Sequence, residues 1–164
     1  MIRKHKSFSR PKKAYEKSRI TEENKLVERF GLKNKREIWK AKAKVSYYRD
    51  RAKALARSSP AEQEVLFGKL RGLGLPVKVT ADVLALQIED LLNRRLPTIL
   101  FKQHKAQTVR QARQMVTHRK VLINGAIVNK PGYLVPVNEE SAITVTLTFA
   151  PIKKATKETK EDTA

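Results

Sequence analysis

One apolar spacing, between Asn34 and Pro60, constrains the fold of this chain more than any other feature. Ile38, Val45 and Ala52 recur every seven residues, and Ala41, Tyr48 and Leu55 repeat the interval three positions later. Side chains spaced this way line up in one narrow seam of an α-helix. The stretch NKRE supplies the start, with Asn34 as cap and Glu37 placed to reach back to the Asn34 backbone N–H, and Ser58-Ser59-Pro60 supplies the end. The spacing predicts one long helix, buried along a stripe and open around the rest of its circumference.

That open circumference carries Lys40, Lys42, Lys44, Arg49, Arg51 and Lys53. A solvated helix face normally interleaves Glu with Lys at i,i+4, which relieves repulsion between like charges. Here that relief is nearly absent, so a surface facing polyanion explains the pattern better than a merely hydrated one. The imbalance extends over all 164 residues, with 36 Lys and Arg against 16 Asp and Glu, a formal charge of +20 and a pI near 10.4. It is concentrated in residues 1–57, which hold twenty basic and six acidic side chains, leaving sixteen and ten in the remainder. Nucleic acid is the first partner such a charge implies, and an anionic membrane surface the second. No Trp- or Phe-rich interfacial helix supports the membrane alternative, and no run approaches the roughly 18 apolar residues of a membrane span. A cytoplasmic chain with no membrane partner is the expectation.

Other chemistry finds little footing. Cysteine is absent, which excludes disulfides and thiolate metal sites, and His5, His104 and His118 lack ligand spacing, so neither metal nor cofactor is expected. No nucleophile pairs with a base and no carboxylates cluster, so an enzyme is not expected. The glycines of RGLGLP suit a helix stop and turn rather than a phosphate-binding loop.

Along the chain, MIRKHKSFSRPKK holds six Lys or Arg and no acid, and reads as a basic arm, disordered when free. TEENKLVERFG predicts a short helix capped by Thr21, with Glu22 and Glu23 at its positive end and Gly31 as its stop. Ser59 and Pro60 open another helix, LQIEDLLNRR a further one, and Pro97 suits the first turn of PTILFK. In TVRQARQMVTHR, Thr108 can cap with Gln111 as its box partner. Val109, Ala112, Met115 and Val116 form an apolar stripe, and Arg110, Arg113, Gln114 and Thr117 project to the polar side. Arg113 is thereby expected to matter to RNA and hardly to stability. VLIN, a turn at Gly125, AIVN, PGYLV and AITVTLTF alternate as short strands. The fold class is α+β, a mostly helical basic N-terminal region followed by a small RNA-binding module of two helices and a short antiparallel β-sheet. The expected organisation is an arm at 1–20, a helical region at 21–89, the module at 90–149 and a mobile tail at 150–164.

The stretches NRRLPTILFK, TVRQARQMVTH and KVLINGAIVNKPGYLV resemble the small RNA-binding domain named after ribosomal protein four of the small subunit. YEKSRITEENKLVERFGLKNKREIWK and LFGKLRGLGL are similar to the N-terminal region of the archaeal and eukaryotic-type ribosomal-protein family. The resemblance implies a small-subunit protein that binds ribosomal RNA directly and nucleates assembly of the subunit body. It also implies a position near the mRNA entry path and ribosomal protein five. The alternative is a non-ribosomal assembly factor of the same superfamily, acting on precursor RNA.

RNA-facing residues carried over by the resemblance are Arg95, Thr108, Arg113, Gln114, His118 and Lys120. The cationic surfaces add Lys12, Lys13, Lys17, Arg19, Lys33, Lys35, Arg36, Lys40, Arg94, Lys102, Lys105, Arg110 and Arg119. For His118, interaction with the helix dipole is the alternative to RNA contact. Trp39, Tyr47 and Tyr48 either fill the core or stack on bases. Three departures from the family pattern stand out. His104 falls where a glycine often follows the first helix. Val109 replaces a common arginine, a contact that Arg110 would supply from the next position. The cysteine-bound zinc of some bacterial members has no ligands here.

Overall fold

The computed structural model describes residues 6–146. The expected tail at 150–164, and the first five residues of the arm, lie outside them. The long helix forms as its spacing requires: α2 spans Lys35–Leu55 and buries Ile38, Val45 and Ala52. Tyr48 and Leu55 are half-buried against the same core, whereas Tyr47 is exposed, so the two tyrosines part company.

Before it, α1 (Lys17–Arg29) starts a full turn earlier than Thr21. Thr21 is no cap; its hydroxyl donates back to the Lys17 carbonyl at 2.9 Å. Arg19 donates to the carbonyls of Lys13 and Ala14, which folds the end of the arm onto α1. The Phe8 ring sits 6.0 Å from Trp39. The described part of the arm is therefore packed on the helices rather than extended away from them, because a guanidinium and an aromatic ring hold it.

α3 (Pro60–Gly72), α4 (Thr80–Ala85) and α5 (Ile88–Asn93) pack on α2 or its core. In α4 and α5 an aspartate makes the start: Asp82 accepts from the N–H groups of Lys78 and Val79, and Asp90 from that of Gln87. Leu66, Phe67, Leu70, Val77, Val83 and Leu91 close this core over Val45 and Ala52. Phe30, Leu32, Ile38 and Leu92 form a second cluster between α1 and α2. α5 thus contributes adjacent leucines to two clusters, and the buried Thr98 hydroxyl donates to the Leu92 carbonyl.

Thr98 belongs to α6 (Leu96–Lys102), which packs against α7 (Val109–Thr117). A sheet of order β2-β1-β3 follows, with β1 at Val121–Ile123, β2 at Ala126–Ile127 and β3 at Ile143–Val145, all antiparallel. Asn124 and Gly125, both at positive φ, turn the hairpin. PGYLV does not form the expected strand; Leu134 only bridges Arg95, and a short α8 (Val137–Glu140) leads into β3. Leu96, Ile99, Leu100, Ala112, Val116, Val121 and Val135 make the third core. His104 fills the expected glycine position at φ 56°, and the Lys105 N–H returns to the Leu100 carbonyl at 3.0 Å.

Gly74 has φ +76°, and a Cβ built on it would lie 2.7 Å from the Arg94 guanidinium carbon. Gly68 lies within α3 with nothing within 4 Å of such a Cβ. Gly74→Ala is expected to lose about 1–2 kcal/mol from the left-handed backbone alone, and more from displacing Arg94. Gly68→Ala is expected to gain about 0.5–1 kcal/mol. Urea unfolding of both variants checks the contrast.

Candidate nucleic-acid interface

The helical region and the module are tied by one carboxylate. Glu37, in the first turn of α2, accepts from Arg95 at 2.5 Å and from both terminal nitrogens of Arg113 at 2.9 and 2.6 Å. It has turned away from the Asn34 N–H that a capping box would use; Asn34 alone caps, accepting from Arg36 at 3.0 Å. The physical reason is competition. Two guanidiniums, one of them bidentate, bind a carboxylate far more strongly than a single backbone N–H does. Arg95 is only 6% exposed and would be costly to leave unpaired.

Burial raises the Glu37 pKa, but hydrogen bonds and charge from Arg113 and Arg95 outweigh it and hold the carboxyl below its ordinary value. Burial pushes the Arg95 pKa down while Glu37 pulls it back up. A guanidinium starts so high that it stays charged.

A second abutment lies beside the first. A Cβ on Gly31, φ +56°, would come within 3.2 Å of the Arg110 nitrogen and 3.3 Å of a Val109 methyl. The α1–α2 turn therefore sits directly on the start of α7, which accounts for the small apolar Val109 at that position. Thr108 caps α7 by accepting from the Gln111 N–H at 3.1 Å. Gln111 does not complete the box, since its side chain accepts from Gln107 instead.

These contacts sort the expected interface residues into two groups. Six are engaged within the chain. Arg19 pairs with Glu23 at 2.7 Å, and Arg94 donates to the Val135 carbonyl and Glu140. Arg95 and Arg113 hold Glu37, Lys105 donates to the Ile143 carbonyl, and the Thr108 hydroxyl is the cap. The expectation that Arg113 is free of structural duty is overturned, because its guanidinium is one half of the inter-region tie. Lys35 is intermediate, 3.6 Å from Glu23. Lys120 is half-buried. The others lie open to solvent: Lys12, Lys13, Lys17, Lys33, Arg36, Lys40, Lys102, Arg110, Gln114, His118 and Arg119.

Of these open groups, Lys33, Arg36 and Lys40 flank Glu37 in sequence, and Arg110 and Gln114 flank Arg113. The clasp and the Gly31 abutment bring the two sets onto neighbouring surfaces. Sequence reasoning misses Glu37 as the organiser. Its one signal is an acid standing alone in a helix face otherwise made of cations. Trp39 is half-buried against the α1–α2 cluster and donates its indole N–H to Glu23 at 2.9 Å.

A helical cationic region clasped to two helices and a small sheet is the architecture of a protein built around an RNA-binding module, and residues 94–141 match the family model described as the S4 domain. The chain is 43% identical over 145 residues to small ribosomal subunit protein uS4 of Saccharolobus solfataricus, covering 84% of this chain and 80% of that protein. It is 43% identical over 148 residues to the uS4 protein of Thermoplasma volcanium, covering 85% and 74%. With the uS4 protein of Ignicoccus hospitalis the identity is 42% over 156 residues, covering 92% and 94%. The chain belongs to the small ribosomal subunit protein uS4 family, which consists of structural ribosomal proteins and not of enzymes. No described helix is long and apolar enough to cross a membrane.

The depressed Glu37 pKa has a defined consequence for stability. A carboxylate whose folded pKa lies below its unfolded value contributes stability above the unfolded pKa, about 4.3, and loses it as pH falls through the folded value. Glu37→Gln is expected to cost about 2 kcal/mol at pH 7 and to flatten the loss of stability on acidification below about pH 4.3. Urea unfolding of parent and variant from pH 7 to pH 3 checks both.

Proposed function

We propose that the chain is a structural constituent of the small ribosomal subunit that binds ribosomal RNA directly. The observation that carries this reading is the sorting of charges. Glu23 and Glu37 are consumed by internal ties, while Lys33, Arg36, Lys40 and Arg110 project outward without an acidic partner among the described residues. A surface of this kind recognises RNA by phosphate contact and shape. The open cations and the Gln114 amide are the proposed contacts, and Arg95 and Arg113 act mainly by fixing the two surfaces.

The names of the relatives support the small ribosomal subunit as its place of work, and a cytoplasmic location is part of the proposal. Nucleation of assembly of the subunit body, proximity to the mRNA entry path and contact with ribosomal protein five complete the proposal. They rest on the family resemblance. The proposed organisation keeps a basic arm, a helical RNA-facing region and a compact module.

Binding of a ribosomal RNA fragment is expected to depend steeply on salt. With six to ten phosphate contacts, affinity falls about 10³- to 10⁵-fold between 50 and 200 mM salt. Arg110→Glu is expected to weaken binding about tenfold or more while changing stability by no more than about 0.5 kcal/mol. Filter binding across a salt series, with thermal melts of parent and variant, tests the assignment. Salt-independent affinity, or a stable Arg110→Glu variant that binds like the parent, overturns it.

A further inference from the structure

The flank of α2 away from Glu37 carries a groove that the clasp and the α7 surface do not use. It is about 430 Å³ in volume and runs between the arm, α1 and α2. Leu26, Ile38 and Trp39 line it on the apolar side, and Arg10, Lys12 and Lys42 on the charged side. Two acids share the lining: Glu23 is paired with Arg19, and Glu22 stands against Arg10, Lys12 and Lys42, so the groove keeps a net positive charge. Arg10, Lys12 and Lys42 are exposed and have no acidic partner among the described residues. The Trp39 N–H is already given to Glu23, and its ring also meets Phe8 and the α1–α2 cluster, so what the indole can still offer a ligand is the part of its ring that faces the groove.

An apolar, aromatic floor edged by cations in excess of acids is the arrangement that holds unpaired nucleotides, with stacking below and phosphate contact at the rim. The volume falls within the roughly 300–1,000 Å³ of small-ligand sites. A carboxylate-rich peptide would satisfy the rim but leave the floor bare. We propose that this groove is a second RNA site, which takes an unpaired nucleotide with its base against Trp39 and the apolar floor and its phosphates at Arg10, Lys12 and Lys42. The proposal rests on the RNA-binding reading above and adds a single-stranded element to it.

Trp39 is the only tryptophan of the chain, so its fluorescence reports on the groove wall and its immediate surroundings. The experiment titrates the full chain with a single-stranded RNA hexanucleotide, an abasic hexamer of equal charge, and oligoglutamate. Binding of a folded ribosomal RNA fragment is measured in parallel by filter retention. The expected result is quenching of Trp39 by the hexanucleotide and not by the abasic hexamer or oligoglutamate. Lys42→Glu, at an exposed position, should weaken the hexanucleotide about tenfold, and Arg10→Ala should weaken it in the same direction.

If the folded fragment binds but the hexanucleotide leaves Trp39 unchanged, the groove proposal is overturned and the RNA-binding reading stands. Equal quenching by the abasic hexamer or by oligoglutamate overturns the groove in the same way, as do two variants that both bind the hexanucleotide like the parent. If neither RNA binds at low salt, the RNA-binding reading itself fails and the groove fails with it.

Discussion

A single carboxylate between two guanidiniums sets the relation between the two halves of this protein. Without Glu37, Arg95 and Arg113 would be two unneutralised cations in a partly buried space, and α2 would lose its polar tie to α6 and α7. With it, the site carries one net positive charge, and three guanidinium nitrogens converge on one carboxylate. The adjacent Gly31 abutment is apolar and steric, so it fixes distance, while the clasp fixes orientation. Together they make the cations of α2 and those of α7 parts of one surface.

Among the described residues, most acids are turned to internal use. Glu23 gathers Arg19, Lys35 and the Trp39 indole, Glu89 pairs with Arg29, and Glu140 with Arg94. Asp82 and Asp90 cap helix starts. Glu23 and Glu37, the most covered of the paired acids, are thereby taken from the solvent face, and the open cations remain in excess. That excess opposes folding of the isolated chain by self-repulsion, and a bound polyanion would relieve it.

Much of this is legible in residue order. The seam of α2, the Asn34 and Thr108 caps, the turn at Gly125 and the apolar stripe of α7 are local features, and local physics decides them. Glu37 and Arg113 mislead because each has a plausible nearby role that a distant partner overrides. Thr21 resembles a cap, but the helix starts a turn earlier and its hydroxyl bonds back to the Lys17 carbonyl. α4 and α8 are too short for their periodicity to show. The groove beside Trp39 exists only once the arm, α1 and α2 are assembled, so no spacing announces it.

The clasp also has an order in time. Glu37 lies 58 residues before Arg95 and 76 before Arg113, so a growing chain makes the acid long before either partner. Chains are synthesised from the N-terminus, and contacts of large sequence separation close last. Until Arg95 and α7 exist, α2 can pack only on its own neighbours, and the carboxylate has only near-sequence groups within reach. The cationic helix is therefore available to RNA before the module that will orient it has been made.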